Sequence, residues 1–207
     1  MDKQKIYIID YKAGNLYSLQ RALLILGYKS EIITDPELVL RADKLILPGV
    51  GSFHQGINNL KKNNLDNAIF DYYKSGNYLL GICLGMQLFM NSSSEFGDNE
   101  GLSLIKGSVN KLQPYKKYPI PHVGWNNVEI QKNNSNFLKD ISLKDNFYFI
   151  HSYYAKLNEK IEHSFITNYG SNKITSIIIN DNVLGTQFHP EKSGKVGLKM
   201  LLNFINL

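Results

Sequence analysis

The sequence predicts an α/β fold in which a mostly parallel sheet is covered by helices on both faces. Its first half alternates short β-branched and aromatic runs with segments of helical periodicity, as is typical of parallel strands joined by helices. From about residue 107 the strand-like runs follow one another across short polar turns. This change predicts antiparallel additions to the sheet rather than a second domain, so we expect residues 1–207 to form a single domain.

In the first half, strands are expected at residues 5–10, 30–34, 44–47 and 78–82. A helix over residues 15–27 is predicted by leucines at three- and four-residue spacings, and Gly27 suits the cap that ends it. A short helix should occupy residues 35–42, because Asp35 followed by Pro36 is typical of a helix start. A longer helical region is expected to lead from the 48–53 loop through residue 59 to residue 76.

In the second half, strands are expected at residues 108–112, 124–130, 147–150, 164–168, 174–179 and 185–188. Residues 180–182 have the composition of a hairpin turn. The polar segments 91–101 and 131–136 are predicted to be surface loops. A closing amphipathic helix is expected at residues 195–206.

Composition excludes several classes of function. The net charge is +5, but the lysines are scattered and form no basic stripe with interleaved aromatics, which disfavours nucleic-acid binding. The single cysteine permits no internal disulfide and fits a reducing compartment. The chain's start lacks the apolar core of a signal peptide and no run approaches a membrane span, so a cytoplasmic protein is expected. No His/Cys cluster or phosphate-binding loop predicts a metal or cofactor.

The cysteine lies at the junction that organises the chain. Cys83 stands between two glycines where an apolar run becomes helical (YLLGICLGMQL, residues 78–88). A strand, sharp turn and helix would lift its side chain clear of the sheet, toward backbone N–H groups and a helix N-terminus that favours a thiolate. The glycine-rich segments 48–53 and 81–85 both fall at strand carboxyl ends, where such sheets bind ligands. Taken alone, however, a cysteine such as Cys83 is more often a small buried apolar residue.

A partner for the thiol is predicted near the end of the chain. Thiolate catalysis on an amide requires a base, an orienter for that base and donors for the oxyanion. His189 and Glu191 are two residues apart, and in extended backbone their side chains would point the same way, so the carboxylate could fix the imidazole tautomer. Alone, His-Pro-Glu is more typical of a surface turn. Together with the Gly-x-Cys-x-Gly turn it predicts a catalytic set.

These motifs carry a family resemblance. The segment GICLGMQ (residues 81–87) with HPE (189–191) resembles the class I, or triad, glutamine amidotransferases. The segments PGVGSF (48–53), HVGWN (122–126), YFIHSY (148–153) and QFHPEKS (187–193) resemble most closely the branch that forms the glutaminase subunit of imidazole glycerol phosphate synthase. The resemblance covers nearly the whole chain, and it implies a flavodoxin-like three-layer sandwich.

The resemblance implies a mechanism and its residues. Cys83 would attack the side-chain amide of glutamine, while His189 protonates the departing ammonia and Glu191 orients His189. The oxyanion would be held by the N–H of Leu84 and by one from the Val50–Gly51 peptide. The glutamine pocket would include Gly49, Gln87, His151, Ser152 and Tyr153. From the residues alone, Gln87 could instead face solvent and His151 could be a hydrogen-bonded core histidine.

The resemblance also implies a partner. Ammonia would pass to a barrel-shaped, HisF-type cyclase that contacts Asn15, Trp125, Tyr148 and Lys192. The glutaminase would be latent until that partner binds its nucleotide substrate, and movement of residues 48–53 would be the switch. From the residues alone, the single tryptophan is more typical of a core position.

Other functions remain open at this stage. Lys12, Ser103 and Lys106 stand where the family usually has Gly, Gly and Pro, which leaves room for a paralogue that feeds ammonia to a different synthase, for example one that builds an amidino group on a surface sugar. A silent scaffolding subunit is disfavoured by the intact Cys83, His189 and Glu191. A stand-alone cysteine hydrolase or chaperone of similar topology is disfavoured by residues 48–53 and 191–193.

Overall fold

The first half of the chain alternates strands and helices. The computed structural model describes residues 4–130, 134–161 and 163–207. Its first-half elements are β1 (Ile6–Ile9), α1 (Leu16–Ile25), β2 (Ser30–Ile33), α2 (Pro36–Val39), β3 (Lys44–Leu47), α3 (Phe53–Lys62), α4 (Leu65–Lys74), β4 (Tyr78–Ile82) and α5 (Leu84–Leu88).

The second half is mainly β-structure. Its elements are β5 (Ser92–Ser93), β6 (Asn99–Glu100), β7 (Gly107–Lys111), β8 (His122–Asn127), β9 (Asn146–His151), β10 (Tyr153–Leu157), β11 (His163–Tyr169), β12 (Asn172–Asn180), β13 (Val183–Thr186) and α6 (Gly194–Ile205). Short 3-10 turns lie at Asn136–Leu138 and Pro190–Lys192.

A seven-stranded sheet forms the centre of the molecule, with the order β11-β12-β13-β4-β3-β1-β2. The five strands from β13 to β2 are parallel, and β12 and β11 continue the sheet in antiparallel pairing. The parallel part has the strand order of a flavodoxin-like fold. The predicted fold class, a mostly parallel sheet with antiparallel additions, is therefore confirmed.

Helices cover both faces of this sheet. The side chains of β1 show the division: Tyr7 and Ile9 pack in a core with α2, α3 and α4, whereas Ile6 and Ile8 pack in a core with α1 and α6. Strands buried on both faces explain why the parallel part is nearly continuous in apolar residues. The structure therefore has three layers, and the carboxyl ends of β3, β4 and β13 lie side by side at one edge.

Several predicted elements differ from the structure. Within the described residues, only β11 and β12 extend the central sheet in antiparallel pairing. Strands β7 and β10 form a separate sheet with β5 and β6, and β8 pairs with β9 as a two-stranded ribbon. No strand was predicted at residues 153–157, where β10 lies. The predicted helical region ending at residue 76 is two helices, broken where Asn64 adopts a positive φ of 56°.

The predicted loop at residues 91–101 was partly wrong, because it contains β5 and β6 and buries Ser93 and Glu95. Of the predicted loop at residues 131–136, residues 131–133 lie outside the described residues. The last strand lies two residues earlier than expected, whereas the turn between β12 and β13 is where the pattern predicted it. Among the described residues, no helix is long and apolar enough to cross a membrane.

Candidate active site

A cavity of about 280 Å³ opens where the carboxyl ends of β3 and β4 meet the ribbon of β8 and β9. Its lining brings together residues from distant parts of the chain. They are Val50, Gly51, Cys83, Leu84, Gln87, Glu95, Ile150, His151, Ser152, Tyr153 and Lys192. Most of the predicted site residues therefore share one cavity, to which the structure adds Glu95 and Ile150.

Cys83 sits in a strained turn between β4 and α5. Its backbone has φ 54° and ψ −108°, a conformation that costs free energy in a non-glycine residue, and its N–H donates to the Thr186 carbonyl at 2.7 Å. The turn requires Gly85, because a Cβ there would overlap the Leu47 carbonyl. The strain is offset by surrounding packing and aims the thiol, only 6% exposed, into the cavity.

His189 and Glu191 form a buried pair. His189 Nδ1 lies 2.7 Å from Glu191 Oε1, and the two side chains are only 2% and 5% exposed. The His189 N–H donates to the Tyr148 carbonyl, and the Ser193 hydroxyl donates to the His189 carbonyl at 2.6 Å. The predicted proximity is present, but the predicted extended backbone is wrong: Glu191 reaches the imidazole from a 3-10 turn.

The charges around His189 favour its protonated form. Burial alone disfavours an imidazolium, but the negative charge and hydrogen bond of Cys83, together with those of Glu191, outweigh it and raise the pKa of His189 to about 10. Among the described residues, His189 Nε2 has no hydrogen-bond acceptor other than the facing Cys83. A protonated His189 ring would therefore carry on Nε2 a proton that faces the Cys83 sulfur.

The predicted oxyanion segment borders the same cavity. Val50 and Gly51 line it, and Leu84 is the first residue of α5, so its N–H has no acceptor within that helix. Gly49, predicted in the glutamine pocket, does not line the cavity. It packs instead against the Tyr11 hydroxyl and Leu84, where a Cβ would overlap both.

In the predicted glutamine pocket, the side chains of Gln87 and His151 share one hydrogen-bond acceptor, the Tyr153 carbonyl. Gln87 is buried and its Nε2 donates to that oxygen at 2.8 Å, so the solvent-facing alternative is wrong. His151 Nδ1 lies 2.9 Å from the same oxygen and must donate to it. His151 Nε2 is then an acceptor, and it lies 3.2 Å from His122 Nδ1. Because both ring nitrogens have partners, His151 shapes the pocket rather than offering a free polar atom to it.

His122 is a site-supporting residue that the sequence analysis did not single out. Its buried ring stacks between Tyr169 and Phe149, with centroid distances of 4.0 and 4.8 Å. Burial lowers the pKa of His122 to about 4; burial and the neighbouring His122 are the main causes that lower the pKa of His151 to about 3. Both rings are therefore neutral at physiological pH, as their hydrogen-bond roles require.

The His122–His151 pair makes the free energy of unfolding depend on pH in the acid range. An unfolded histidine has a pKa near 6.5, so between about pH 6.5 and 4 the unfolded chain binds more protons and stability falls as the pH is lowered. His122→Phe keeps a stacked ring but removes one titrating group and leaves His151 Nε2 unpaired. We expect a loss of about 1–3 kcal/mol at pH 7 and a shallower decline toward pH 5, measured by urea unfolding. His54→Gln, at an exposed position, is the control; identical pH slopes for His122→Phe and the wild-type chain would contradict the assignment.

Glu95 is the second residue that the sequence analysis missed. It is 8% exposed, lines the cavity and accepts a hydrogen bond from the Phe53 N–H at 2.6 Å. Burial raises its pKa, and the Phe53 N–H opposes that shift. Its polar surroundings in the sequence (NSSSEFGDNE) gave no sign of burial, which arises only because β5 and β6 join the sheet of β7 and β10.

The four predicted interface residues differ in their relation to the cavity, which only Lys192 lines. Trp125 is 59% exposed, so the core alternative is wrong, and its ring contacts half-buried Tyr148 edge-on at a centroid distance of 5.9 Å. Lys192 lines the cavity. Asn15 is exposed and caps α1, and the neighbouring Gly14 packs against Pro48 and Gly49.

Two departures from the family pattern have a structural reason. Lys12 and Ser103 have positive φ angles of 65° and 54°, a conformation that glycine adopts without strain, which accounts for the usual glycines there. Lys12 is held by Asp10, which accepts from its N–H at 2.8 Å and pairs with its ammonium group at 3.2 Å. Neither residue lines the cavity.

Comparison with known proteins agrees with this geometry. The model of the family "Glutamine amidotransferase class-I" matches residues 7–207, and the chain belongs to the class I glutamine amidotransferases. Within that class its relatives include HisH subunits. The "Imidazole glycerol phosphate synthase subunit HisH" of Caldanaerobacter subterraneus subsp. tengcongensis is 47% identical over 199 residues, 96% of each chain. That of Lactococcus lactis subsp. lactis is 45% identical over 204 residues, 98% of each chain.

A solved structure supports the fold. The structure of PurLQS from Thermotoga maritima superimposes with a TM-score of 0.77 over 99% of this chain and 98% of that chain. At 18% sequence identity this similarity shows the fold alone.

Proposed function

We propose that this chain is the glutaminase subunit of an imidazole glycerol phosphate synthase. It hydrolyses glutamine to glutamate and ammonia and passes the ammonia to a HisF-type cyclase, which uses it to form imidazole glycerol phosphate and AICAR in histidine biosynthesis. The observation that carries the proposal is the buried His189–Glu191 pair, which faces Cys83, a residue that lines the cavity. The 47% identity with a HisH subunit directs the proposal to this synthase. The family match over residues 7–207 supports one amidotransferase domain.

The first half-reaction follows from the arrangement of Cys83 and His189. The Cys83 thiolate attacks the amide carbon of the glutamine side chain, and the C–S bond forms as the carbonyl π electrons move to oxygen. The resulting oxyanion is held by the N–H groups of Leu84 and Gly51. His189 gives its proton to the amide nitrogen, the C–N bond breaks, and ammonia leaves a glutamyl thioester.

The second half-reaction reverses these roles. His189, now neutral, takes a proton from water while the water oxygen attacks the thioester carbon. The C–S bond then breaks, which releases glutamate and restores the thiolate beside the imidazolium. Glu191 accepts the hydrogen bond of His189 Nδ1 throughout and keeps Nε2 directed at the reacting atoms. No cofactor takes part in either step.

The substrate's charged end is assigned to Glu95. Glutamine carries an α-ammonium group, and Glu95 is the acidic side chain among the cavity-lining residues. The carboxylate is held by the Phe53 N–H through Oε2, which leaves Oε1 for the substrate. Gln87 and the Ser152–Tyr153 backbone would contact the rest of the amino-acid group, and His151 would act only through the Tyr153 carbonyl.

The Glu95 assignment predicts a selective effect on substrate binding. Glu95→Gln keeps an acceptor for the Phe53 N–H but removes the charge, so we expect KM for glutamine to rise about tenfold or more with a smaller change in kcat. Steady-state kinetics of ammonia release measure both constants. The matched control is Glu100→Gln, an exposed position in the adjoining β6 strand, which should leave both unchanged. An unchanged KM in Glu95→Gln would remove this residue from the substrate site.

An apolar face beside the cavity supports a macromolecular partner. On the ribbon, Val123 pairs with Ile150 and Trp125 with Tyr148, and Val123, Trp125 and Ile150 are 53%, 59% and 41% exposed. Ile150 also lines the cavity, and its carbonyl lies 4.0 Å from Cys83 Sγ. A cyclase seated on this face, with Asn15 and Lys192 at its edge, would cover the point at which ammonia leaves.

The proposal is tested by partner-dependent glutamine hydrolysis. Ammonia release should be slow for the chain alone and rise strongly with a HisF-type cyclase and its nucleotide substrate, because residues 48–53 must present an N–H to the oxyanion. If the cyclase has no effect but a glutamine analogue still labels Cys83, the chain serves a different synthase, as the departures at Lys12 and Ser103 would allow. If the cyclase has no effect and the analogue does not label Cys83, the amidotransferase assignment is refuted.

A further inference from the structure

Gln187 lies behind Cys83 and contacts its sulfur. The side chain is fully buried, and Gln187 Nε2 lies 3.6 Å from Cys83 Sγ, within hydrogen-bond distance for sulfur. The Gln187 backbone N–H donates to the Ser176 carbonyl at 2.9 Å, which fixes the residue beside the end of β13. Neither the Cys83–His189–Glu191 set nor the glutamine pocket uses this amide.

The orientation of the amide follows from its neighbours. The Tyr153 carbonyl can only accept a hydrogen bond, so the end of the Gln87 amide that faces it must be the NH₂ group. The same NH₂ group lies 3.1 Å from the oxygen of Gln187, which must therefore accept. The NH₂ group of Gln187 is then directed at the sulfur. An inverted Gln187 would place NH₂ against NH₂ and a carbonyl oxygen against a thiolate.

We propose that Gln187 is a catalytic residue that donates a neutral hydrogen bond to the Cys83 thiolate, and that Gln87 is the positioning residue that holds it in the donating orientation. The proposal rests on the glutaminase function proposed above. A hydrogen bond to a charged acceptor in a site closed to water is substantially stronger than one between neutral groups. Because the amide cannot give up its proton at physiological pH, it stabilises the thiolate without competing with His189 as the acid.

This donor acts at two points in the reaction. It stabilises the thiolate before the attack on glutamine and again when the C–S bond of the thioester breaks. In the thioester between these two points the sulfur is uncharged, and the hydrogen bond from Gln187 is weaker. The interaction therefore favours the thiolate over the thioester, both before the attack and when the thioester is hydrolysed. In Gln187→Met, the methionine side chain has a shape similar to that of glutamine but has no hydrogen-bond donor. Because Cys83 is the only cysteine in the sequence, any thiol signal is specific to it.

The decisive test measures the thiolate directly. In the full chain at pH 7, Gln187→Met should lower the thiolate absorbance near 240 nm and slow alkylation by iodoacetamide about tenfold or more. Thr186→Val is the matched control: Thr186 is equally buried and adjacent, but its hydroxyl donates to the Phe188 carbonyl rather than to sulfur. If Gln187→Met does not fold, Gln187→Glu, which has the same shape and places a carboxylate at the sulfur, should lower the thiolate signal further.

The positioning role of Gln87 has its own signature. Gln87→Met should lower the thiolate absorbance in the wild-type background, because Gln187 is then free to invert, but should change it little in the Gln187→Met background. Equal effects of Gln87→Met in the two backgrounds would overturn this coupling. A structural role alone would lower unfolding stability without this dependence.

The outcomes separate this inference from the proposed function. The inference would be overturned if the wild-type chain shows a strong thiolate signal and glutaminase activity and Gln187→Met, or folded Gln187→Glu, equals it in both. The proposed function would then still stand. A wild-type chain with neither a thiolate signal nor glutaminase activity with its partner would overturn the proposed function itself. Loss of the signal in the Gln187 variants but not in Thr186→Val establishes the assignment.

Discussion

Cys83→Ala is expected to abolish glutamine hydrolysis, with a fall in kcat of about 10⁴-fold or more in the presence of the cyclase and its nucleotide substrate. The reason is that no other thiol exists in the chain, and the covalent route requires sulfur at the strained turn between β4 and α5. Glutamine hydrolysis, measured as glutamate formation in a coupled assay, gives the loss in kcat. Alanine should be accommodated in the fold, because the turn depends on Gly85 and on the Cys83 backbone rather than on the thiol.

The control for Cys83→Ala is the partner reaction. If the variant retains its fold and its binding to the cyclase, free ammonium should still support formation of the cyclase product, while glutamine should not. Residual glutamine-dependent activity above about one per cent of the wild-type value would contradict nucleophilic catalysis by Cys83.

Glu191→Gln is expected to lower kcat about a hundredfold or more, with KM for glutamine changed much less. The amide can still contact His189 Nδ1, but it carries no charge and either end can face the ring, so the imidazolium loses stabilisation and its tautomer is no longer fixed. The pKa of His189, about 10 in the wild-type chain, should fall in the variant, which an NMR titration of the imidazole would detect.

The matched control for this variant is Glu159→Gln. Glu159 also pairs with a cation, Lys106, at 3.2 Å, but both side chains are exposed, so the change should affect neither kcat nor the titration of His189. A Glu191→Gln variant with a lower kcat and an unchanged His189 titration would mean that the carboxylate supports the fold rather than the imidazolium.

The residues brought together by parallel strands were the most predictable part of the site. Cys83 and residues 50–51 follow β4 and β3, and neighbouring parallel strands end at the same edge, so local patterns were enough to place them together. His189 follows β13, which pairs with β4, although its strand boundaries and the turn that carries Glu191 were mispredicted. The chemistry of Cys83, His189 and Glu191 stays a prediction until the variants are measured.

The residues that support the site could not be predicted for a physical reason. All three are buried: Glu95 lies between β5 and β6, His122 stacks between Tyr169 and Phe149, and Gln187 contacts Cys83 and Gln87. Each depends on contacts between segments far apart in sequence, and none has a local periodicity that signals burial. Trp125 shows the opposite case. Its residue type favoured a core position, but side chains alternate between the two faces of β8, and Trp125 lies on the exposed face.

The most direct test of the account is to locate the covalent adduct of an electrophilic glutamine analogue, such as 6-diazo-5-oxonorleucine, by mass spectrometry of the complex with the cyclase. We predict one adduct per chain, on Cys83, formed faster with the nucleotide substrate bound and slowed by excess glutamine. An adduct on another residue, or labelling of Cys83 that glutamine does not slow, would contradict a glutamine site at this cysteine.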